Sequence, residues 1–195
     1  VNNAGLVEVP MGITLREIVY DIGGGVPNNK VIKAVQSGGP SGGFIPGSLL
    51  DLPVDYERLR EAGAIMGSGG LIVMDEDTCI VDVAKYFVLF TSDESCGKCS
   101  SCRDGAFALL EILERICNGE GEEEDPDLLI EICNALKDAS MCALGGTLPN
   151  PILTSVHHFR DEYEEHIREK KCRAKSCKAL IRFHIDAETC TGCTL

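Results

Sequence analysis

The segment Glu94-Ser95-Cys96-Gly97-Lys98-Cys99-Ser100-Ser101-Cys102-Arg103 constrains this chain more than any other. Three cysteines spaced two residues apart, at the opening of a helical segment, can close their sulfurs on one metal centre. Each spacer is long enough for the backbone to turn and short enough to keep the sulfurs within a few ångströms. Such a run supplies three corners of a cubane iron-sulfur cluster and leaves the fourth ligand to come from elsewhere. Zinc is the alternative. It usually takes two ligands from each of two separated hairpins, so three close cysteines and one remote cysteine suit the cubane better.

The rest of the composition narrows the setting. There are 11 cysteines in 195 residues, without a secretory signal or a long apolar span, so they read as thiolates in a reducing compartment and not as disulfides. The cytoplasm is the expected location, with no membrane span. Hydrophobic residues make up 44% of the chain and charged ones 25%, enough to bury a core in one or two compact units. A net charge of -13 excludes nucleic acid and anionic membrane surfaces as general partners. The chain opens at Val1 and closes two residues after Cys193, and reads as a fragment of something longer.

Patterning predicts an α+β chain. Val7-Glu8-Val9 alternates like a short strand, and Thr14-Leu15-Arg16-Glu17 has the spacing of a capping box opening a helix that ends near Gly23. A strand is expected over Lys30 to Gln36, Asp55 as the N-cap of a helix, and a buried strand at Leu71-Ile72-Val73-Met74. From Cys79 the period becomes helical. Ile80, Val83, Ala84 and Phe87 share one face, and Phe107, Leu110, Leu113 and Ile116/Cys117 repeat the pattern up to a stop at Asn118-Gly119. The acidic insert Glu120 to Asp125 is expected to be a solvated loop in which Asp125 caps a helix with Pro126 at its first position, running to Ala139. A last helix is expected from about Ser155 to Lys171, on the pattern of His157, Phe159 and Tyr163. Together these helices suggest a small bundle.

Cys79, Cys117, Cys133 and Cys142 are the candidates for the fourth thiolate. Cys117 and Cys133 lie on apolar helical faces, where a free cysteine behaves as a small hydrophobe. Cys142 instead precedes the turn Ala143-Leu144-Gly145-Gly146, whose amides can approach a cluster and hydrogen-bond its sulfurs. Lys98 and Arg103 would favour the reduced state by Coulomb attraction, or are simply solvated charges.

The pattern Glu94-Ser-Cys-Gly-x-Cys-x-x-Cys-Arg-x-Gly105, followed by Met141-Cys142-Ala143-Leu144-Gly145, closely resembles the family of the flavoprotein (NADH-binding) subunit of respiratory complex I. The relatives of that family include the beta subunits of NAD-linked, electron-bifurcating [FeFe]-hydrogenases and of formate dehydrogenases. The resemblance implies that Cys96, Cys99, Cys102 and Cys142 hold a [4Fe-4S] cluster taking electrons from FMN. It also implies a soluble-ligand-binding β-grasp domain, carried by Ala34-Val35-Gln36-Ser37-Gly38-Gly39-Pro40-Ser41-Gly42-Gly43, with Met66-Gly67-Ser68-Gly69-Gly70 as its closing strand. The family's FMN and NAD(H) domain lies upstream of that domain. No phosphate-cradling loop occurs here, because the glycines at 38 to 43 lack G-x-G-x-x-G spacing and a following amphipathic helix. The fragment alone is therefore not expected to oxidise NADH.

Cys190-Thr191-Gly192-Cys193 begins a ferredoxin-type C-x-x-C-x-x-C run that stops short of its third cysteine. Tails of this kind favour the hydrogenase or formate dehydrogenase type over an ordinary complex I subunit. Cys172 and Cys177 form a separate pair, with His166 earlier on the same helix and Cys79 at the bundle's start. Four residues between cysteines allow a tight knuckle, so Cys79, His166, Cys172 and Cys177 are a candidate zinc set; reduced structural thiols are the bland alternative. His157, His158 and His184 read as ordinary histidines.

The expected architecture is a β-grasp domain over residues 1–75, a four-helix-bundle iron-sulfur domain over 76–170, and a metal knuckle with a truncated ferredoxin-like extension over 171–195. The expected function is electron relay between FMN, in a domain absent here, and clusters of partner subunits. The resemblance implies a [2Fe-2S] thioredoxin-like subunit and a hydrogenase or formate dehydrogenase catalytic subunit as partners. A zinc-stabilised protein-binding module without redox activity is the rival reading. A self-contained enzyme is not supported, since no Ser/His/Asp or paired-carboxylate arrangement stands out.

Overall fold

A computed structural model of the chain describes residues 1–183, 185 and 187–192. Its amino-terminal part is built on a three-stranded antiparallel sheet, formed by β1 (Ile32–Ser37), β2 (Phe44–Pro46) and β3 (Leu71–Asp75) in the order β2-β1-β3. β1 is central, with Val35 opposite Ile45 on one side and Val73 on the other. Both of its faces are covered, which is why its sequence is apolar without strict alternation. Val35 and Ile45 pack with Leu15, Val19, Leu50 and Leu59, whereas Ala34, Phe44 and Met74 pack against Ile80, Ala84 and Phe87.

Local capping follows the sequence closely. The Glu17 N–H donates to Thr14 Oγ1 at 3.2 Å and the Thr14 N–H donates to Glu17 Oε2 at 2.9 Å, a reciprocal capping box. The turns it opens, Glu17–Ile22, are of the wider π type. Helix α1 (Tyr56–Glu61) is capped by Asp55, whose Oδ1 accepts the Arg58 N–H at 2.7 Å.

The remainder is helical: α2 (Ile80–Asp93), α3 (Ser100–Cys117), α4 (Asp125–Ala139), the short α5 (Ala143–Thr147) and α6 (Asn150–Glu164), which runs into a π-type turn at Glu165–Glu169. Their shared core holds Leu109, Leu113 and Ile116 of α3, Leu129, Cys133 and Leu136 of α4, and Ile152, Val156 and Tyr163 of α6. Each fully buried aliphatic side chain stabilises the fold by about 1.5–3 kcal/mol. No helix among the described residues is long and apolar enough to cross a membrane.

The sheet and the helices are joined by a buried polar seam. Glu162, 1% exposed, receives Lys33 Nζ from β1 at 2.9 Å and the N–H of Ile80 at 3.2 Å. Thr154 Oγ1 accepts the Phe44 N–H at 2.9 Å, and Asn150 donates to the carbonyl of Ser41 at 3.1 Å.

Several expectations are corrected. Val7-Glu8-Val9 is not a strand: Val7 is exposed and the segment pairs with nothing among the described residues. Residues 66 to 70 form a turn, with Gly67 at φ 54° and Gly69 at φ 83°, and the third strand follows them. On α3, Phe107 is 67% exposed, because the inward face is carried by Ala106, Leu109, Leu113 and Ile116. Asp125 is the first residue of α4 and not its cap; it is buried and takes Arg115 Nε at 2.9 Å and the Glu122 N–H at 2.9 Å. Residues 143 to 146 form helix and not an open turn. α6 starts five residues before the expected Ser155, since Pro151 lies in its first turn, where no N–H is needed.

Candidate metal centres

The cysteine run closes as its spacing requires. Cys96 lies in the loop after α2, Gly97 takes φ 71° to turn the chain, Cys99 is the N-cap of α3, and Cys102 sits in its first turn. Arg103 reaches back so that its Nη1 donates to the Gly97 carbonyl at 2.9 Å, while its guanidinium pairs with Asp104. Arg103 thus braces the loop with its charge already balanced; Lys98 is exposed.

Across a cleft of about 120 Å³ stands Cys142, the N-cap of α5. Cys96, Cys99, Cys102 and Cys142 line this cleft together with Glu94, Ser95, Ser140 and Leu144. One water needs roughly 10–15 Å³ on this measure, so the cleft has space beyond what a single ion fills. Cys102 is buried, Cys99 half-buried, and Cys96 and Cys142 exposed, so the cleft has a protein-facing back and a solvent-facing edge. Ser95 Oγ lies 3.5 Å from Cys102 Sγ and accepts the Gly97 N–H at 3.3 Å, which leaves its own proton free to point at the sulfur. Ser140 Oγ is buried without a hydrogen-bond partner among the described residues. All-sulfur donors beside hydroxyl donors are the chemistry an iron-sulfur cubane takes.

A second group converges on the other side of the bundle. The ligand atoms of Cys79, His166, Cys172 and Cys177 all lie within 4.8 Å of one another, and all four residues are buried. Cys79 is the N-cap of α2, the π-type turn carries His166 inward, and the segment after it folds Cys172 and Cys177 back. His166 Nε2 is 3.4 Å from both Cys79 Sγ and Cys177 Sγ, and those two sulfurs are 4.0 Å apart. A tetrahedral zinc with Zn–S about 2.3 Å and Zn–N about 2.0 Å would place its sulfurs about 3.8 Å apart and sulfur and nitrogen about 3.5 Å apart. The Cys79, His166 and Cys177 positions fit that geometry, and Cys172 Sγ lies within 4.8 Å of all three.

The electrostatics here are those of a thiolate nest. The Cys177 thiol donating to Cys79 draws the Cys79 pKa down to about 4, against burial and with help from His166. Burial opposes protonation of His166, yet the hydrogen bond and charge of Cys79 lift it to about 9. Cys177 is pushed up, as the proton donor to Cys117 and Cys79. Cys117 lies beside this group and not at the cleft: its sulfur, the Asp82 carboxylate and Cys177 Sγ are within 4.8 Å of one another, and Lys85 pairs with Asp82 at 2.8 Å.

The remaining candidates separate. Cys133 is fully buried on α4, and burial pushes its thiol up to about 12, as for a packing residue. Cys190 is exposed and belongs to neither group, while Cys193 and His184 lie outside the described residues. His157 is exposed and His158 half-buried, stacked edge-on at 4.5 Å, away from both groups. Sequence reasoning passed over Ser95, Ser140, Asp82 and Lys85. For Ser95 the one signal is its place beside the ligand Cys96; Ser140 carries none.

Comparison with known proteins adds a frame to this geometry. Residues 82–166 match the family described as NADH-ubiquinone oxidoreductase-F iron-sulfur binding region. The chain is 53% identical over its full 195 residues to the HndC subunit of the NADP-reducing hydrogenase of Solidesulfovibrio fructosivorans, covering 40% of that protein. It is 41% identical over 172 residues, 88% of the chain, to the F subunit of the NADH-quinone oxidoreductase of Mycobacterium bovis, covering 38% of it. Among solved structures it resembles a NAD+-reducing [NiFe]-hydrogenase in the H2-reduced state, with TM-score 0.70 and 28% identity, over 82% of this chain and 27% of that one. The chain therefore spans well under half the length of the relatives it matches.

Proposed function

Since residues 82–166 match the NADH-ubiquinone oxidoreductase-F iron-sulfur binding region, we propose that this chain is the electron-relay part of an NAD(P)H-linked flavin and iron-sulfur oxidoreductase. Cys96, Cys99, Cys102 and Cys142 would hold a [4Fe-4S] cluster. Bound there, the cluster supplies one-electron transfer. The chain's own residues do the rest. Cys99 and Cys142 are the N-caps of α3 and α5, which aim both at the cleft. Cys102 and Leu144 close the inner side against water, and the exposed Cys96 and Cys142 mark the edge at which a partner can approach.

Zinc is proposed at Cys79, His166, Cys172 and Cys177, as a clamp between the start of α2 and the end of α6. Support comes from the zinc-like spacing of Cys79, His166 and Cys177 and from the His166 ring, whose Nδ1 is engaged by the Glu162 carbonyl so that Nε2 faces the sulfurs. In this reading residues 1–75 are a β-grasp domain, 76–170 the cluster-bearing bundle and 171–195 the knuckle and the beginning of a ferredoxin-like extension. The parent enzyme would join FMN and NAD(H), held outside these residues, to a [2Fe-2S] thioredoxin-like subunit and a hydrogenase catalytic subunit in the cytoplasm. A match to a hydrogenase component along the whole of this chain favours that setting over formate dehydrogenase.

One observation carries the relay reading: four cysteines, three local and one 40 residues further on, line a single cleft. Anaerobic iron, sulfide and zinc quantitation with low-temperature EPR after dithionite reduction tests it. About four iron and four sulfide per chain with a reduced-cubane signal is the expected result. Zinc without iron would replace it with the rival reading, a zinc-stabilised binding module.

A further inference from the structure

We propose that the Ser140 hydroxyl donates a hydrogen bond to sulfur in the cleft formed by Cys96, Cys99, Cys102 and Cys142, and so raises the reduction potential of the centre held there. The inference rests on the relay reading and adds a positioning and tuning residue to it.

Among the described residues, Ser140 Oγ is the one hydroxyl at this cleft that is buried and has no hydrogen-bond partner among the protein groups. A buried hydroxyl left unpaired is costly, so its donor is accounted for only if something in the cleft accepts it. Its position is fixed by structure on both sides. The Ser140 N–H closes the end of α4 on the Leu136 carbonyl at 3.0 Å, and Ser101 Oγ ties the start of α3 to the neighbouring Ala139 carbonyl at 3.1 Å. Gly145 covers the hydroxyl from α5. A Cβ there would stand 2.5 Å from Ser140 Oγ and 3.3 Å from the Cβ of Cys102, so hydroxyl and ligand cysteine lie against the same backbone atom. Glu94, the carboxylate at this cleft, is exposed, and none of the four cysteine sulfurs pairs with Ser140 Oγ, so the acceptor would be a sulfide of the centre held there. Reduction adds negative charge to the sulfurs of an iron-sulfur centre, so a donor aimed at them stabilises the reduced form more than the oxidised one. Ser95 Oγ, 3.5 Å from Cys102 Sγ, faces the same cleft from the opposite loop.

The test uses the full chain, purified anaerobically, with iron and sulfide counted before anything else. A wild-type chain that takes up no iron-sulfur centre overturns the relay reading, and this proposal with it. Given a loaded wild type, Ser140→Ala is expected to keep its iron, to titrate at a more negative midpoint potential, and to lose part of the shift in iron–sulfur resonance Raman bands on transfer to D2O. Full iron with unchanged potential and unchanged deuterium shift would overturn the proposal while leaving the relay standing. Should Ser140→Ala fail to hold iron, the isosteric pair Ser140→Thr and Ser140→Val makes the same comparison. The threonine is expected to keep the wild-type potential and the valine to lose either the potential or the centre. No difference between the two would refute the hydrogen bond.

Discussion

His166 Nδ1 lies 2.7 Å from the backbone carbonyl of Glu162, one turn earlier on the same helix, and this bond aims Nε2 at the sulfurs of Cys79 and Cys177. The side chain of that same Glu162 takes Lys33 from the sheet. The proposed zinc clamp and the sheet–helix seam therefore share one residue. Replacing His166 by Ala, or Cys172 by Ser, is expected to drop zinc from one equivalent to a small fraction and to lower the thermal midpoint by several degrees, since metal held only by the native state stabilises it. Iron content should stay near wild type. Metal analysis of each variant beside a thermal melt checks both statements.

The seam itself can be probed through its ion pair. Lys33→Met leaves the buried Glu162 carboxylate without its cation and is expected to cost about 3–5 kcal/mol. Lys33→Met combined with Glu162→Met should recover most of that loss, because no uncompensated charge remains. Denaturant unfolding of the two singles and the double closes the cycle, and additive losses would contradict the pairing.

Thiol replacements should sort the cysteines by place and not by type. Cys102→Ser or Cys142→Ser is expected to lower iron occupancy or move the midpoint potential, whereas Cys133→Ala should leave both unchanged and cost about 1–2 kcal/mol of stability through the lost packing. In the metal-free chain at mildly alkaline pH, iodoacetamide is expected to label exposed Cys96 and Cys142 and to spare Cys133, whose thiol burial holds up at about 12. Peptide mass mapping reads the pattern.

Gly105 is where α3 meets α4, and a Cβ there would overlap the Leu136 side chain. Gly105→Ala is expected to destabilise by about 1–3 kcal/mol despite its better helix propensity, since the overpacking outweighs the gain. Unfolding of the variant and of Gly105→Ala with Leu136→Val would separate the terms, the second change relieving the first.

Acid should weaken the end of β3 in a defined way. Burial pushes the Asp75 carboxyl up, but hydrogen bonds from Lys30 and Thr78 outweigh it and hold the pKa below the ordinary range. For a carboxylate depressed in the folded state, the stabilisation is complete above its unfolded pKa and disappears as pH falls through the folded one. Wild type should therefore exceed Asp75→Asn by about 0.5–1 kcal/mol at neutral pH and converge on it in acid. Parallel unfolding curves at pH 7 and in acid provide the comparison.

Much of what is set within a few residues could be read from the amino-acid order alone, although Asp125 opens α4 where it read as the cap. The two-residue spacers from Cys96 to Cys102, the Thr14–Glu17 box, the Asp55 cap, the stop after Cys117 and the apolar period of α2 act through contacts one to four positions apart, and they were legible as such. The turn after Cys142 and the resemblance to a known family both pointed to Cys142 among four candidates. Only tertiary structure decided which partners meet. Cys79 and Cys177 are 98 positions apart and touch because α2 and α6 pack side by side, and Cys117 joins that group although its position on an apolar face read as mere packing. Phe107 faces out where periodicity turned it in, because a one-residue rotation of a helix is invisible to a pattern whose neighbours are also apolar. The orphaned hydroxyl of Ser140 has no signature in spacing at all. It acquires meaning only when α3, α4 and α5 close one cleft around it, since burial is a property of the packed fold.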